Sequence, residues 1–227
     1  GRNTGDAMGS SAMFPAELTH SFIATLVSIH NLPQNESVAA PQLSQWLHSR
    51  SLAENTLQEV LAWRHQIWLD RAPPSPALTR IFDWLEANVP TDTGELCVVH
   101  NDFGPHNILV DNNRVQAVLD WEICRIGDPT EDLSFFLQCC GEAIDRSEAI
   151  ALYRTLSGRD ISEYRLRYFD VVFRLKYVLT CENALRMFAQ HTEAEAGLCQ
   201  LGFIYAHGGL VSVNEKIALA EAAKLAR

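Results

Sequence analysis

A short segment with strand patterning interrupts a chain whose apolar residues otherwise recur at helical spacing. Residues 96–99, 107–110 and 115–119 are β-branched or aliphatic runs, and residues 111–113 (DNN) between the last two are typical of a turn. Helices are predicted on both sides of this segment, at 15–31, 42–50, 54–70, 77–88, about 130–140, 146–157, 162–190 and 193–225. The pattern predicts an α+β, mostly α-helical chain in which helices frame a small β-hairpin region.

The composition is that of a globular protein of 227 residues, long enough to bury a core without disulfides or metal staples. The net charge of −10 argues against a nucleic-acid or anionic membrane surface, because like charges repel. No apolar run approaches 18 residues and no basic leader precedes an apolar stretch, so we expect a cytoplasmic protein that does not bind membranes. The six cysteines are expected to be buried free thiols.

The strand segment carries polar residues at regular intervals. Asp102 and Asn107 are separated by Gly104 and Pro105, which disfavour a helix and favour a tight loop, so both side chains can face one cavity. Asp120 follows the apolar run VQAVL and therefore lies at a strand end. Carboxylate and amide oxygens suit Mg²⁺, which completes its coordination with water and phosphate oxygens. Asn107 and Asp120 are the predicted metal ligands, and Asp102 is free to orient a hydroxyl.

The region around these residues is strongly acidic. Residues 92–145 carry 11 acidic side chains and two basic ones, Arg114 and Arg125. Such a surface repels a nucleotide unless a metal is bound, and it attracts a cationic acceptor.

The order of these motifs resembles one family. The stretch VVHNDFGPHNILVD followed by VLDWEICRIGDPTEDLSFF is similar to the HGDxxxxN, DWE and GDPxxDLA motifs of the aminoglycoside phosphotransferase and choline kinase branch of the protein-kinase-like fold. The segment TLVSIHNL at 25–32 resembles the LxxLH helix of the same family. Asn101 replaces the usual glycine, and asparagine tolerates the left-handed backbone conformation better than most residues.

The resemblance implies a role for each matched residue. Asp102 would be the catalytic aspartate, and Asn107 and Asp120 would bind Mg²⁺ and, through it, the phosphates of ATP. His100 would structure the loop, and Asp128 would brace it.

Two supporting residues also have simpler interpretations. Asp128 with the following PTE is typical of a helix N-cap and capping box. Glu122 could support the metal ligands or face solvent, and both alternatives stay open.

The resemblance covers residues 14–225 and implies a C-terminal kinase lobe. Residues 1–13 are interpreted as a linker or frayed terminus, and residues 14–227 as the catalytic and substrate lobe. In the family, an N-terminal lobe supplies a phosphate-covering loop and a lysine, and neither is recognisable here, so we expect that lobe to be absent and the 227 residues alone to be inactive.

The predicted function is an ATP- and Mg²⁺-dependent phosphotransferase that moves the γ-phosphoryl group to a hydroxyl of a small molecule. A non-catalytic kinase-like binding module is the main alternative, and a metal-dependent hydrolase is a third. The acceptor, the choice between ATP and GTP, and the oligomeric state are not defined by the sequence.

Overall fold

The structure is a computed structural model that describes residues 2–3, 13–32, 51–70, 75–190 and 196–226. These residues form seven α-helices and five short strands, with 3₁₀ turns at Pro105–Asn107 and Gly141–Ala143. The helices are α1 Ala16–His30, α2 Leu52–Asp70, α3 Pro76–Ala87, α4 Pro129–Cys140, α5 Arg146–Ser157, α6 Glu163–Ala189 and α7 Ala196–Leu225. The strands are β1 Arg2–Asn3, β2 Cys97–Val99, β3 Ile108–Asp111, β4 Arg114–Val118 and β5 Arg125–Gly127. The predicted helix at 42–50 lies outside the described residues.

The predicted hairpin is confirmed as β3 and β4. The two strands pair antiparallel from Ile108↔Val118 to Asp111↔Arg114. Asn112 and Asn113 form the connecting turn with positive φ angles of 49° and 56°. Positive φ at both central residues defines the type I′ turn that matches strand twist, and asparagine adopts this conformation at low cost. The turn chemistry therefore fixes the register of the hairpin.

Two further strand pairs were not predicted. β2 pairs antiparallel with β5, with Val98 opposite Ile126. β1 pairs antiparallel with β3 at Arg2↔Val110 and Asn3↔Leu109. The interpretation of residues 1–13 as linker therefore does not hold for residues 2–3, because their backbone hydrogen bonds extend the hairpin sheet.

The described chain divides into two compact units, and the first comprises residues 1–58 and 91–162. In this unit α1 packs against α5, α4 and β4. Three phenylalanine rings form an aromatic series in the core of this unit. The ring centroid of Phe136 lies 5.3 Å from that of Phe22 and 5.7 Å from that of Phe103. All three phenylalanines are fully buried. Phe103 follows Asp102 directly, so the core of this unit supports the loop that carries the predicted site.

The second unit comprises residues 59–90 and 163–227. The long helices α6 and α7 pack against each other, and α3 contributes Leu78, Ile81, Phe82 and Leu85 to a common core with Tyr168 and Leu175. The hydroxyl of Tyr168 donates to the carbonyl of Leu85, which satisfies a polar atom inside this core. The predicted site residues all lie in the first unit.

None of the helices formed by the described residues is long and apolar enough to cross a membrane. Five of the six cysteines are described, and all five are free thiols. Cys97, Cys140 and Cys181 are buried as predicted, whereas Cys139 is half-buried and Cys124 is exposed. The prediction was wrong for Cys124 because this residue follows a surface turn next to β5.

Candidate active site

The loop from His100 to Asn107 is closed by the side chain of Asn107. Its Nδ2 donates to Oδ2 of Asp102 at 2.8 Å and to the carbonyl of Asp102 at 3.1 Å. Backbone bonds from Gly104 to Asp102 and from Asn107 to Gly104, both 2.9 Å, complete the tight turn. Asp102 and Asn107, which the sequence predicted to face one cavity, are therefore in direct contact. Because the amide nitrogen of Asn107 is used here, its amide oxygen is the atom that can bind a cation.

His100 connects this loop to the end of β4. The imidazole is fully buried, its Nε2 lies 2.9 Å from the carbonyl of Leu119, and its Nδ1 lies 3.3 Å from the amide of Asp102. An amide N–H can only donate and a carbonyl can only accept, so the bonding assigns the hydrogen to Nε2. The ring also lies 4.6 Å from that of Trp121. These contacts place His100 between the loop and the strand end, and Trp121 is the tryptophan of the DWE motif, to which the resemblance had assigned no role.

The backbone of the loop requires small or tolerant residues at two positions. Asn101 has a φ of 67°, the left-handed conformation expected where the related motifs have glycine. A Cβ added at Gly104 would lie 2.5 Å from Cε1 of His106, which only glycine avoids without a shift of that ring. The ring of His106 in turn places Nε2 3.3 Å from Oδ1 of Asp102.

Asp120 lies at the same end of the hairpin as Asn107. The amide of Leu119 donates to the carbonyl of Asn107 at 2.8 Å, which continues the β3–β4 pairing by one step beyond Ile108↔Val118. Asp120 is the next residue, it is exposed, and its φ is 62°. A positive φ is uncommon for a residue other than glycine and costs energy, and such positions cluster at functional sites.

The donor set fits a magnesium ion. Asn107 offers an amide oxygen and Asp120 a carboxylate, which together are the one or two protein ligands that Mg²⁺ takes when phosphates and waters complete its shell. The described residues contain no group of three or more His, Cys, Asp or Glu side chains placed to hold a metal. Zinc and calcium sites usually take more protein ligands than this pair of side chains offers.

The brace of the loop is Asp132. Its fully buried carboxylate accepts hydrogen bonds from the backbone amides of His100 at 2.7 Å and Asn101 at 2.6 Å. Asp128, to which the resemblance assigned this task, instead caps α4 through a 2.8 Å bond from the amide of Thr130, with Pro129 at the first helical position. The N-cap interpretation of Asp128 is therefore confirmed. The two aspartates are one helical turn apart, and only the second points its carboxylate at the loop amides.

The remaining acidic candidates are held elsewhere or lie on the surface. Glu131, the third residue of the expected capping box, receives two bonds from Arg125 at 2.5 and 2.6 Å. Glu122 is exposed and makes no hydrogen bond or ion pair within the described part of the chain. Its supporting role stays a prediction, as do the catalytic role of Asp102 and the metal-binding roles of Asn107 and Asp120.

Helix α1 contributes a histidine to the support of the loop. The sequence pattern had predicted the helix but had assigned no contact to this residue. His30 is buried, with Nε2 3.2 Å from Oδ2 of Asp132 and Nδ1 2.7 Å from the hydroxyl of Tyr153. The motif TLVSIHNL had identified the helix, but the distance of 102 residues between His30 and Asp132 hid the contact from sequence reasoning.

The HxDxxxxN loop, the hairpin that follows it and the buried aspartate that holds the loop agree with a protein-kinase-like fold. The sequence model of the phosphotransferase enzyme family (APH) matches residues 10–167. The chain belongs to this family. The matched residues include most of the first unit and all the site residues described above.

Individual relatives agree with this assignment. The chain is 32% identical over 110 residues to acyl-CoA dehydrogenase family member 11 of Mus musculus, a match that covers 43% of this chain and 14% of the mouse protein. It superposes on a candidate aminoglycoside phosphotransferase of Ralstonia eutropha with a TM-score of 0.70 and 18% identity, covering 92% of this chain and 65% of the other. The complex of APH(2")-IIia with GDP and kanamycin gives a TM-score of 0.59 and 16% identity, with coverages of 96% and 68%. The two structural likenesses show the fold.

Proposed function

We propose that the protein to which this chain belongs is an ATP- and Mg²⁺-dependent phosphotransferase that moves the γ-phosphoryl group to a hydroxyl of a small molecule. The observation that carries the proposal is the bond between Asn107 Nδ2 and Asp102 Oδ2, made where the hairpin also ends in Asp120. This contact joins a hydroxyl-orienting carboxylate to a metal-binding amide. The proposal concerns the whole protein, because the matched segment is 14% of the mouse relative.

In this mechanism Asp102 acts on the acceptor. Its side chain is 26% exposed, so one carboxylate oxygen can accept the hydrogen bond of an incoming hydroxyl while Oδ2 is held by Asn107. The carboxylate orients the hydroxyl oxygen towards the phosphorus and accepts its proton as the new P–O bond forms. The bond from phosphorus to the bridging oxygen breaks, and ADP leaves.

Asn107 and Asp120 would hold the cation on the phosphate side. A bound Mg²⁺ supplies positive charge that neutralises phosphate oxygens, and this is also what allows an anionic nucleotide to approach an acidic surface. The protein contribution is the rigid placement of the two oxygens by the hairpin register and the loop closure. Catalysis is then mainly positioning and charge compensation.

The acceptor class is the open part of the proposal. The relatives carry the names of aminoglycoside phosphotransferase and acyl-CoA dehydrogenase family member. We propose a hydroxyl-bearing metabolite or antibiotic, with a cationic group favoured by the acidic composition of residues 92–145. Aminoglycosides, choline-like amines, sugars, macrolides and hydroxylated acyl thioesters form the panel that tests it.

The test is ADP release by the full-length protein with Mg²⁺, ATP or GTP, and each member of that panel. We expect turnover with one class and its loss by about 10²- to 10⁴-fold in Asp102→Asn, the usual contribution of a general base. Nucleotide affinity, measured by calorimetry, should stay unchanged. The exposed Asp160→Asn is the matched control because it changes the same charge outside the site.

Three other outcomes would contradict the proposal in different ways. Turnover that persists in Asp102→Asn would remove this residue from the mechanism. Tight metabolite binding without ADP release from any nucleotide would favour the non-catalytic module. Phosphate release from phosphate esters without nucleotide would favour the hydrolase.

A further inference from the structure

The buried histidine of α1 has no role in the transfer step, yet it contacts the residue that holds the catalytic loop. Side chains of His30 and Asp132 are both completely inaccessible to solvent, and their nearest atoms are 3.2 Å apart. A buried imidazole and carboxylate lose their hydration, so their mutual bond and its geometry matter more than at a surface.

The chemistry of the three side chains decides which atom donates each hydrogen bond. An ionised carboxylate can only accept, so Nε2 of His30 must carry the hydrogen that lies between it and Asp132. Burial raises the pKa of Tyr153, which keeps its hydroxyl protonated and able to bond Nδ1 at 2.7 Å. The His30 ring is thereby held at both nitrogens, by α5 on one side and by α4 on the other.

The backbone of His30 is also fixed. The Arg159 guanidinium donates to the carbonyl of His30 at 3.0 Å and to Oδ1 of Asn31 at 2.7 Å, closing the end of α1. The rings of His30 and Tyr153 lie at an interplanar angle of 71°, with their centroids 5.8 Å apart. The main chain of His30 is therefore held by a half-buried hydrogen bond, and its side chain by two buried ones.

We propose that His30 is a positioning residue for phosphoryl transfer: from α1 it fixes the Asp132 carboxylate, which holds the amides of His100 and Asn101 and thereby sets the place of the Asp102 carboxylate. The inference rests on the function proposed above and deepens it. Oδ2 of Asp132 accepts from both His30 and the amide of His100, and Oδ1 accepts from the amide of Asn101, so loss of the imidazole removes one of the three donors that orient this carboxylate. A shift of about 1 Å in a catalytic group can lower a rate about 100-fold.

The experiment uses the full-length protein with His30→Leu, His30→Gln and, as a matched control on the exposed face of the same helix, His20→Gln. The glutamine amide can donate to Asp132 as the imidazole does, whereas leucine cannot. We expect kcat for ADP release from Mg·ATP, with water as the probe acceptor, to fall about 10- to 100-fold in His30→Leu, in line with displacement of a catalytic group. KM for Mg·ATP should not change, and His30→Gln should recover most of the rate.

A second measurement does not depend on turnover. Hydrogen exchange of the backbone amides of His100 and Asn101 should be faster in His30→Leu and near the original rate in His30→Gln, and the nitrogen shift of His30 Nε2 should be that of a protonated ring nitrogen. If His30→Leu does not fold, Tyr153→Phe replaces it, with faster exchange at His100 and a smaller fall in kcat expected.

The proposal is overturned if the folded His30→Leu or Tyr153→Phe protein keeps both the original kcat and the original exchange rates. It is also overturned if His30→Gln restores slow exchange but not kcat. Should no nucleotide be turned over at all, the proposed function fails, while the exchange rates still decide whether His30 holds the loop.

Discussion

The backbone amide of Asn101 donates a 2.6 Å hydrogen bond to Oδ1 of Asp132, 31 residues further along the chain. This bond, with its neighbour from His100, ties the loop of the predicted site to the first turn of α4. Loop residues are ordinarily mobile, and catalytic groups need a fixed place. A buried carboxylate that accepts two adjacent amides provides that fixed place without using a single side chain of the loop.

Asp132→Ala should therefore destabilise the protein strongly. The buried amide of His100 and the half-buried amide of Asn101 would lose their acceptor, and we expect the free energy of unfolding to fall by about 2–5 kcal/mol. Urea denaturation followed by fluorescence measures this change. Asp128→Asn is the matched control, because asparagine caps helices as well as aspartate and should change the value by less than about 0.5 kcal/mol. An equal fall in the free energy of unfolding in both variants would contradict the assignment of Asp132 as the residue that braces the loop.

Asn101 should tolerate glycine and resist alanine. Its φ of 67° lies in the left-handed region, where a Cβ without a compensating polar group costs about 1–2 kcal/mol. Asn101→Ala should lower the free energy of unfolding by that amount, whereas Asn101→Gly should leave it nearly unchanged. Thermal or urea unfolding of the two variants tests the difference. A more stable alanine variant would contradict the assigned backbone conformation.

Asp120→Asn should weaken the binding of Mg²⁺ and so raise the magnesium concentration that the protein requires. Asparagine keeps the left-handed conformation and the size of the side chain but removes its negative charge. We expect the Mg²⁺ concentration for half-maximal ADP release to rise at least about 10-fold, since even residues that only orient a metal ligand contribute 10- to 100-fold.

The control for this change is Glu122→Gln, which removes an exposed charge two residues away. Its Mg²⁺ requirement should equal that of the unmodified protein. A large effect of Glu122→Gln would instead establish the supporting role predicted for Glu122, and no effect of Asp120→Asn would exclude Asp120 as the ligand.

The cysteines should differ in reactivity by position. Burial raises the pKa of the Cys97 and Cys140 thiols well above that of an ordinary cysteine, so the reactive thiolate does not form at neutral pH. Cys124 is exposed. Iodoacetamide at pH 7.5 followed by peptide mass spectrometry should find Cys124 alkylated in the folded protein and Cys97 and Cys140 alkylated only after unfolding. Rapid modification of Cys97 in the folded protein would contradict the burial of β2.

The helices and the hairpin could be predicted because their signals are local. The predicted helices at 146–157 and 162–190 agree with α5 and α6 to within a residue, since periodic apolar positions and caps mark their ends. The hairpin followed from the asparagine turn. By contrast, β5 has only three residues, too few to show alternation, and its pairing with the predicted strand at 96–99 joins Val98 to Ile126 across the whole loop and hairpin.

The candidate site could be predicted in its residues but not in its support. Asp102, Asn107 and Asp120 were predicted from the order and spacing of their oxygen donors; the structure brings Asp102 and Asn107 into contact, and their chemical roles stay a prediction. The brace was assigned to Asp128 because a motif gives residue types and spacing, while only the helix geometry decides which carboxylate turns inward. The contacts of His30 with Asp132 and Tyr153 join residues 102 and 123 positions apart, which no local pattern contains.

The register of the hairpin has a practical consequence for labelling this protein. Because side chains alternate between the faces of a strand, a one-residue slip of β4 against β3 would carry Asp120 to the wrong side, so length changes within either strand should be avoided. The asparagine pair at the opposite tip is four paired positions away from Asn107. A fluorophore attached beside that turn, with both asparagines kept, would lie at the far end of the hairpin from the oxygens proposed to bind a cation.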